Sequence, residues 1–165
     1  MKHNILRTVL LVALSLGLAA TASAQGHHPC SVAHVAGDWG YSLQGTFFPP
    51  TAPSGLPVAF VGTLNVDDSG FISGAQTSNV NGVVTHDVLK GSLTVNPDCT
   101  GRQTIEIYNQ DGVLLRTAVW ALVYLDDETE SRGTFESLTS ATGMNVPAVA
   151  VANGKRLFKK HAQQK

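Results

Sequence analysis

Turn punctuation limits what this chain can fold into more than any other feature. Asp67-Asp68-Ser69-Gly70, Asn79-Val80-Asn81-Gly82, Asn96-Pro97-Asp98-Cys99-Thr100-Gly101, Asn109-Gln110-Asp111-Gly112 and Asn153-Gly154 recur at close spacing. Asn and Asp tolerate left-handed backbone, and Gly adopts it without steric penalty. Between these turns lie short runs rich in Val, Thr, Leu, Phe and Tyr, the pattern of an antiparallel meander. Strands are expected near 38–48, 57–67, 70–78, 83–95, 101–109, 113–125, 132–139 and 145–153. No segment after residue 24 holds a 3.6-residue apolar period. The expectation is an all-β fold: a single antiparallel β-barrel of about eight strands, with a two-layer β-sandwich as the alternative. Closure removes the unpaired edges that an open sheet of this size must protect.

The N-terminus carries an address. Lys2 and Arg7 precede an apolar run from Val9 to Ala20, and Ala22-Ser23-Ala24 follows. That is a secretory signal peptide over 1–24. It leaves 141 of the 165 residues, enough for one domain. The barrel is expected over 25–154 and a basic tail over 155–165. Without Lys2 and Arg7, 9 basic residues face 12 acidic ones. An acidic balance argues against nucleic acid as a partner, because phosphate binding needs a cationic face. No second apolar run reaches the length of a membrane helix. No cysteine sits at the cleavage site, which argues against a lipid anchor. The expected product is a soluble secreted or periplasmic protein. In such a compartment Cys30 and Cys99 read as a disulfide, with two free thiols as the alternative.

Two segments interrupt the strand pattern. Residues 48–57 hold four prolines, at 49, 50, 53 and 57. Proline cannot donate to a sheet ladder, so a rigid loop is expected, either a plain connection or a lid over a barrel mouth. The stretch from Lys155 holds five of the nine mature basic residues, Lys155, Arg156, Lys159, Lys160 and Lys165. It reads as a solvated tail or as a weak contact for an anionic surface.

Chemistry concentrates on the segment 113–125. With Asp111-Gly112 as a two-residue hairpin turn, Tyr108 lies opposite Leu115 and Ile107 opposite Arg116. Alternation then puts Ile105, Ile107, Leu114, Arg116, Ala118, Trp120, Leu122 and Tyr124 on one face, assigned to the interior. Glu106 and Tyr108 point outward. Arg116 among apolar neighbours requires a carboxylate or several acceptors, as a structural ion pair or as a ligand anchor. The other face, with Leu115, Val119, Ala121, Val123 and Leu125, is still apolar and needs a cover. A second subunit, or the C-terminal segment around Leu157 and Phe158, would provide it. The expected ligand-facing set is Trp39, Tyr41, Phe60, Arg116, Trp120 and Tyr124. Aromatic walls with a few polar groups suit a small-molecule pocket.

Other chemistries find little support. Asp38, Asp87 and Glu136 are scattered over different strands, so no paired carboxylates are assigned. Nucleophile-elbow, phosphate-loop and dinucleotide patterns are absent. Cleavage after Ala24 would expose Gln25-Gly26-His27, next to His28, a square-planar ligand set for Cu(II) or Ni(II). N-terminal Gln cyclises readily and removes the amine. His34 and His86 stand alone. No metal, cofactor or catalytic residue is assigned.

Gly37-Asp38-Trp39 ahead of a strand resembles the Gly-x-Trp opening of lipocalins and other calycin barrels. In that group the Trp packs near a basic residue of the last strand, a place that Arg156 would take. More broadly, residues 30–125 resemble small secreted bacterial proteins without a known function. The resemblance rests on Gly37 to Tyr41, Gly45, Asp68-Ser69-Gly70, Gly74, Gly91 and Asp98-Cys99-Thr100-Gly101. Their shape is similar to the allene oxide cyclase type of barrel. The resemblance implies a calycin-like barrel, and it transfers no activity. The leading expectation is a module that binds a small, largely apolar molecule. The alternatives are a cyclase-type enzyme using the same cavity, and a structural or interaction protein whose barrel is filled.

Overall fold

The computed structural model describes residues 29–125 and 127–157. The expected signal segment 1–24, the stretch 25–28 with its metal-ligand pattern, and residues 158–165 of the basic tail lie outside the described residues. Eight strands follow the β-rich runs: β1 Gly37–Phe47, β2 Leu56–Val66, β3 Phe71–Val80, β4 Val83–Val95, β5 Thr100–Tyr108, β6 Leu114–Leu125, β7 Glu130–Ser140 and β8 Ala148–Arg156. Each pairs antiparallel with the next, and β8 returns to β1, so the sheet is a closed eight-stranded barrel. The sandwich alternative is excluded. One short helix, α1 Val32–Val35, precedes β1. No helix among the described residues is long and apolar enough to cross a membrane.

Turn chemistry produces this connectivity. Asn81 and Gly82 form a two-residue loop, both with positive φ (50° and 88°), the twist that matches a hairpin. The Asn79 side chain accepts the Gly82 amide at 2.9 Å. Asp67 accepts the amides of Ser69 and Phe71, and Asp98 accepts that of Thr100. These side chains satisfy backbone donors that the sheet leaves over at its ends.

Alternation then sorts the side chains. Trp39, Leu43, Phe47, Val58, Phe60, Leu89, Leu93, Ile105, Ile107, Ala118, Trp120 and Tyr124 are buried in one interior cluster. Glu106 and Tyr108 lie on the outer face as expected, and there the Tyr108 hydroxyl donates to Glu106 at 2.6 Å.

Several expectations need correction. The β5–β6 connection is not a two-residue turn. It spans 109–113, closed by the Asn109 side chain, which accepts the amides of Asp111 and Val113. Ile107 faces Arg116 as expected, but a bulge puts Tyr108 opposite Leu114 instead of Leu115. A second bulge lies in β7, where Val119 faces Ser137 and Trp120 faces Phe135. The extra residue is Glu136. The bulge turns both Phe135 and Leu138 inward, which strict alternation forbids for residues three apart. The last strand runs to Arg156, so the first two residues assigned to the tail are sheet residues paired with Gly40 and Trp39. Leu157 does not cover β6. Its side chain lies over Gly40 of β1, three strands away. On the outer face of β6, Leu115, Val119 and Ala121 are half-buried, and Val123 and Leu125 are exposed.

Candidate ligand cavity

The barrel is hollow. About 80 Å³ of its interior is open to the centres of water-sized molecules. One water needs only about 10–15 Å³ by that measure, so the side chains do not fill the space. Trp39, Tyr41, Phe60, Arg116, Trp120 and Tyr124 all line this one cavity. The walls are otherwise mostly aliphatic and aromatic, from Leu43, Phe47, Leu89, Ile105, Ile107 and Leu138.

One end of the cavity is sealed. Trp39 donates its indole N–H to the Val35 carbonyl of α1 at 2.9 Å. Val35 is fully buried. Tyr124 meets Trp39 edge-on at 5.8 Å between ring centroids. The Arg156 guanidinium stacks over the Trp39 ring at 5.4 Å and donates to the His34 carbonyl. The basic partner expected for Trp39 from the last strand is therefore in place. Cys30 and Cys99 are at bonding distance, with Cα atoms 5.0 Å apart, within the normal disulfide span. The bridge ties the segment before α1 to the β4–β5 turn. Among the described residues, Cys30, Cys99 and Glu128 form the one group of three side chains with metal-ligating atoms. Both sulfurs are already committed to the disulfide.

A polar chain crosses the wall nearer the other end. Arg116 of β6 donates from Nη2 to Asp87 Oδ2 of β4 at 3.1 Å. The same carboxylate oxygen accepts from Ser78 Oγ at 2.5 Å and Gln76 Nε2 at 2.9 Å. Its other oxygen accepts from Thr85 at 3.0 Å. Tyr41 donates its hydroxyl to Gln76 Oε1 at 2.5 Å. Gly62 stands between Tyr41 and Gln76 in the ladder, with no side chain to part them. Asp87 is 1% exposed, so this saturation is what makes its charge tolerable.

The electrostatics follow from the contacts. Burial acts to raise the Asp87 pKa. The hydrogen bonds from Ser78 and Gln76, the Arg116 charge and the Thr85 bond outweigh it, and Asp87 titrates below the usual carboxylate range. Burial pulls Arg116 down while Asp87 pushes it back up. Burial, reinforced by Asp87, drives the Tyr41 phenol well above its ordinary value, and burial does the same to Tyr124. At neutral pH the interior thus holds one cation, one anion and neutral phenols.

Four polar residues of this region, Gln76, Ser78, Asp87 and Gln103, were not among the expected site residues. Asp87 had a legible signal: it shares a face with Leu89 and Leu93, and Arg116 demanded a carboxylate. Gln76 and Ser78 share a face with Ile72 and Gly74 and carried no such demand. Gln103 lines the cavity opposite Trp120 in the β5–β6 ladder.

The sequence matches no protein-family model and no curated protein. Among solved structures, one described as "Structure of EF1p2_mFAP2b bound to DFHBI" superposes with a TM-score of 0.48 at 14% identity, over 74% of this chain and 94% of that one. At that level the likeness assigns no ligand and no activity to this chain.

Proposed function

We propose that this protein binds a small, largely apolar molecule inside its barrel. The observation that carries the reading is the unfilled interior of about 80 Å³, walled by aromatic and aliphatic side chains with a few polar groups. A filled barrel, the structural alternative, would leave no such room. Trp39, Tyr41, Phe60, Arg116, Trp120 and Tyr124 are the proposed contacts. The disulfide supports an oxidising location, secreted or periplasmic.

Calorimetric titration with 2-methylnaphthalene tests the reading. Saturable one-to-one binding is expected, accompanied by a change in Trp120 fluorescence. Ala118→Phe, which places a ring in the cavity from a buried wall position, should abolish binding while the fold is retained. No saturable heat from any small apolar probe would remove the binding function.

The enzyme alternative has one observation in its favour: a titratable acid, Asp87, beside Arg116. Asp87 nevertheless accepts four hydrogen bonds and is held ionised, which leaves little basicity for proton abstraction. The ion pair is better suited to orienting a bound molecule than to exchanging protons with it.

A further inference from the structure

The polar chain narrows the class of ligand. Every described hydrogen bond from Arg116 leaves from Nη2, to Asp87 at 3.1 Å and Ser78 at 3.4 Å. Nε and Nη1 are not sealed in packing, since Arg156 Nε is the sole buried side-chain nitrogen without a partner among the described residues. Arg116 stacks over Phe60 at 5.5 Å and lines the cavity. Its remaining N–H groups are donors without an assigned acceptor.

Within the polar chain, the other groups cannot take that role. The Tyr41 proton is committed to Gln76 Oε1, and the Gln76 amide nitrogen to Ser78 and Asp87. The chain runs in one direction and ends in Asp87. What the cavity offers near Arg116 is hydrogen-bond donation.

Charge decides between two kinds of acceptor. Arg116 is already neutralised by Asp87, which is 3.1 Å away. A carboxylate ligand would add a second negative charge to a desolvated site holding a single positive one. Burying an uncompensated charge is costly, and like charges repel strongly where the dielectric is low. A carbonyl or similar neutral oxygen takes the same hydrogen bond without that penalty.

We infer that the ligand is an uncharged, largely apolar molecule carrying a carbonyl-type acceptor that meets Arg116, with Asp87 serving to cancel the guanidinium charge. Asp87 is then a positioning and neutralising residue, not a catalytic one. The inference rests on the binding reading above, so the test separates the two.

Three probes share one skeleton: 2-methylnaphthalene, 2-acetylnaphthalene and 2-naphthoate. The expected order by calorimetry at pH 7 is ketone first, at least tenfold tighter than the methyl compound, with the carboxylate no tighter than the methyl compound. The double variant Asp87→Asn with Arg116→Met removes both charges together. The amide that replaces the carboxylate still presents one acceptor oxygen to Ser78 and Gln76, and a melting curve verifies the fold of the variant. In that variant the ketone advantage should vanish while the methyl compound still binds. Tightest binding by the carboxylate would overturn the inference, as would equal binding of all three or a ketone preference that survives in the double variant. If none of the three binds, the cavity-binding reading fails and the inference falls with it.

Discussion

Two arginines stack on aromatic rings at opposite ends of one barrel, and they do different work. Arg156 lies over Trp39 at 5.4 Å, bonds the His34 carbonyl and has a buried Nε without a partner. Arg116 lies over Phe60 at 5.5 Å, has a carboxylate partner and keeps donors to spare. At the Arg156 end, guanidinium, indole, α1 and the disulfide together form a plug. At the Arg116 end, Asp87 cancels the charge, and the side chain that keeps donors to spare lines the cavity. Stacking on a ring therefore does not distinguish a structural arginine from a binding one. What distinguishes them is which N–H groups remain after the protein's own acceptors are used.

The sharpest way to break this contrast is to leave one partner of the ion pair alone. Arg116→Met strands the buried Asp87 carboxylate and should cost about 3–5 kcal/mol in denaturant unfolding. Adding Asp87→Asn should recover most of that loss, because the uncompensated charge is gone. If the single variant unfolds like the wild type, the ion pair is not the buried element described here.

At the sealed end the largest effect is expected from the bridge. Cys30→Ala should cost about 2–5 kcal/mol, since a link across 69 positions restricts the unfolded chain strongly. Hydrogen exchange should show loss of protection concentrated around α1 and the β4–β5 turn, with the Arg116 region unaffected. Arg156→Leu is expected to be milder, about 1–2 kcal/mol, from the lost ring contact and the hydrogen bond to His34. Binding of the methylnaphthalene probe should persist in that variant, in contrast to Ala118→Phe.

The smallest effect is the pH dependence. The Asp87 pKa is lowered in the folded state, so its contribution to stability is fully present above the unfolded carboxylate pKa of about 3.9 and is lost as pH falls through the folded value. Stability should be flat in this respect from neutral pH to about pH 5 and decline below it. In the double variant the acid decline should be shallower. An unchanged acid limb would show that Asp87 is not held ionised by its neighbours.

Much of the cavity is legible in the sequence. Trp39, Tyr41, Phe60, Arg116, Trp120 and Tyr124 could be placed on inward faces because strand alternation is a local rule, and it holds wherever the ladder is regular. The misreadings fall where the ladder is irregular. Nothing in Asp111-Gly112 announced that Asn109 would close a longer loop. Nothing at Glu136 announced the bulge that turns Phe135 and Leu138 inward together. A bulge is decided by the competition between two partner strands, and one strand's sequence does not contain it. The landing place of Leu157 on β1 was hidden for the same reason.

By itself, the sequence determined the all-β class, and it pointed to about eight strands, a cysteine pair and the inward aromatic set. These follow from propensities, turn chemistry and period-two alternation, all of which act over a few neighbouring residues. Only the tertiary structure decided that the interior is hollow, that Asp87 and not Asp38 or Glu136 answers Arg116, and that Arg156 closes the far end. Those outcomes depend on how far strands shift against one another around a closed barrel, which fixes what stands opposite what across the interior. That shift is a property of the whole ring of ladders, and no single segment of the chain encodes it.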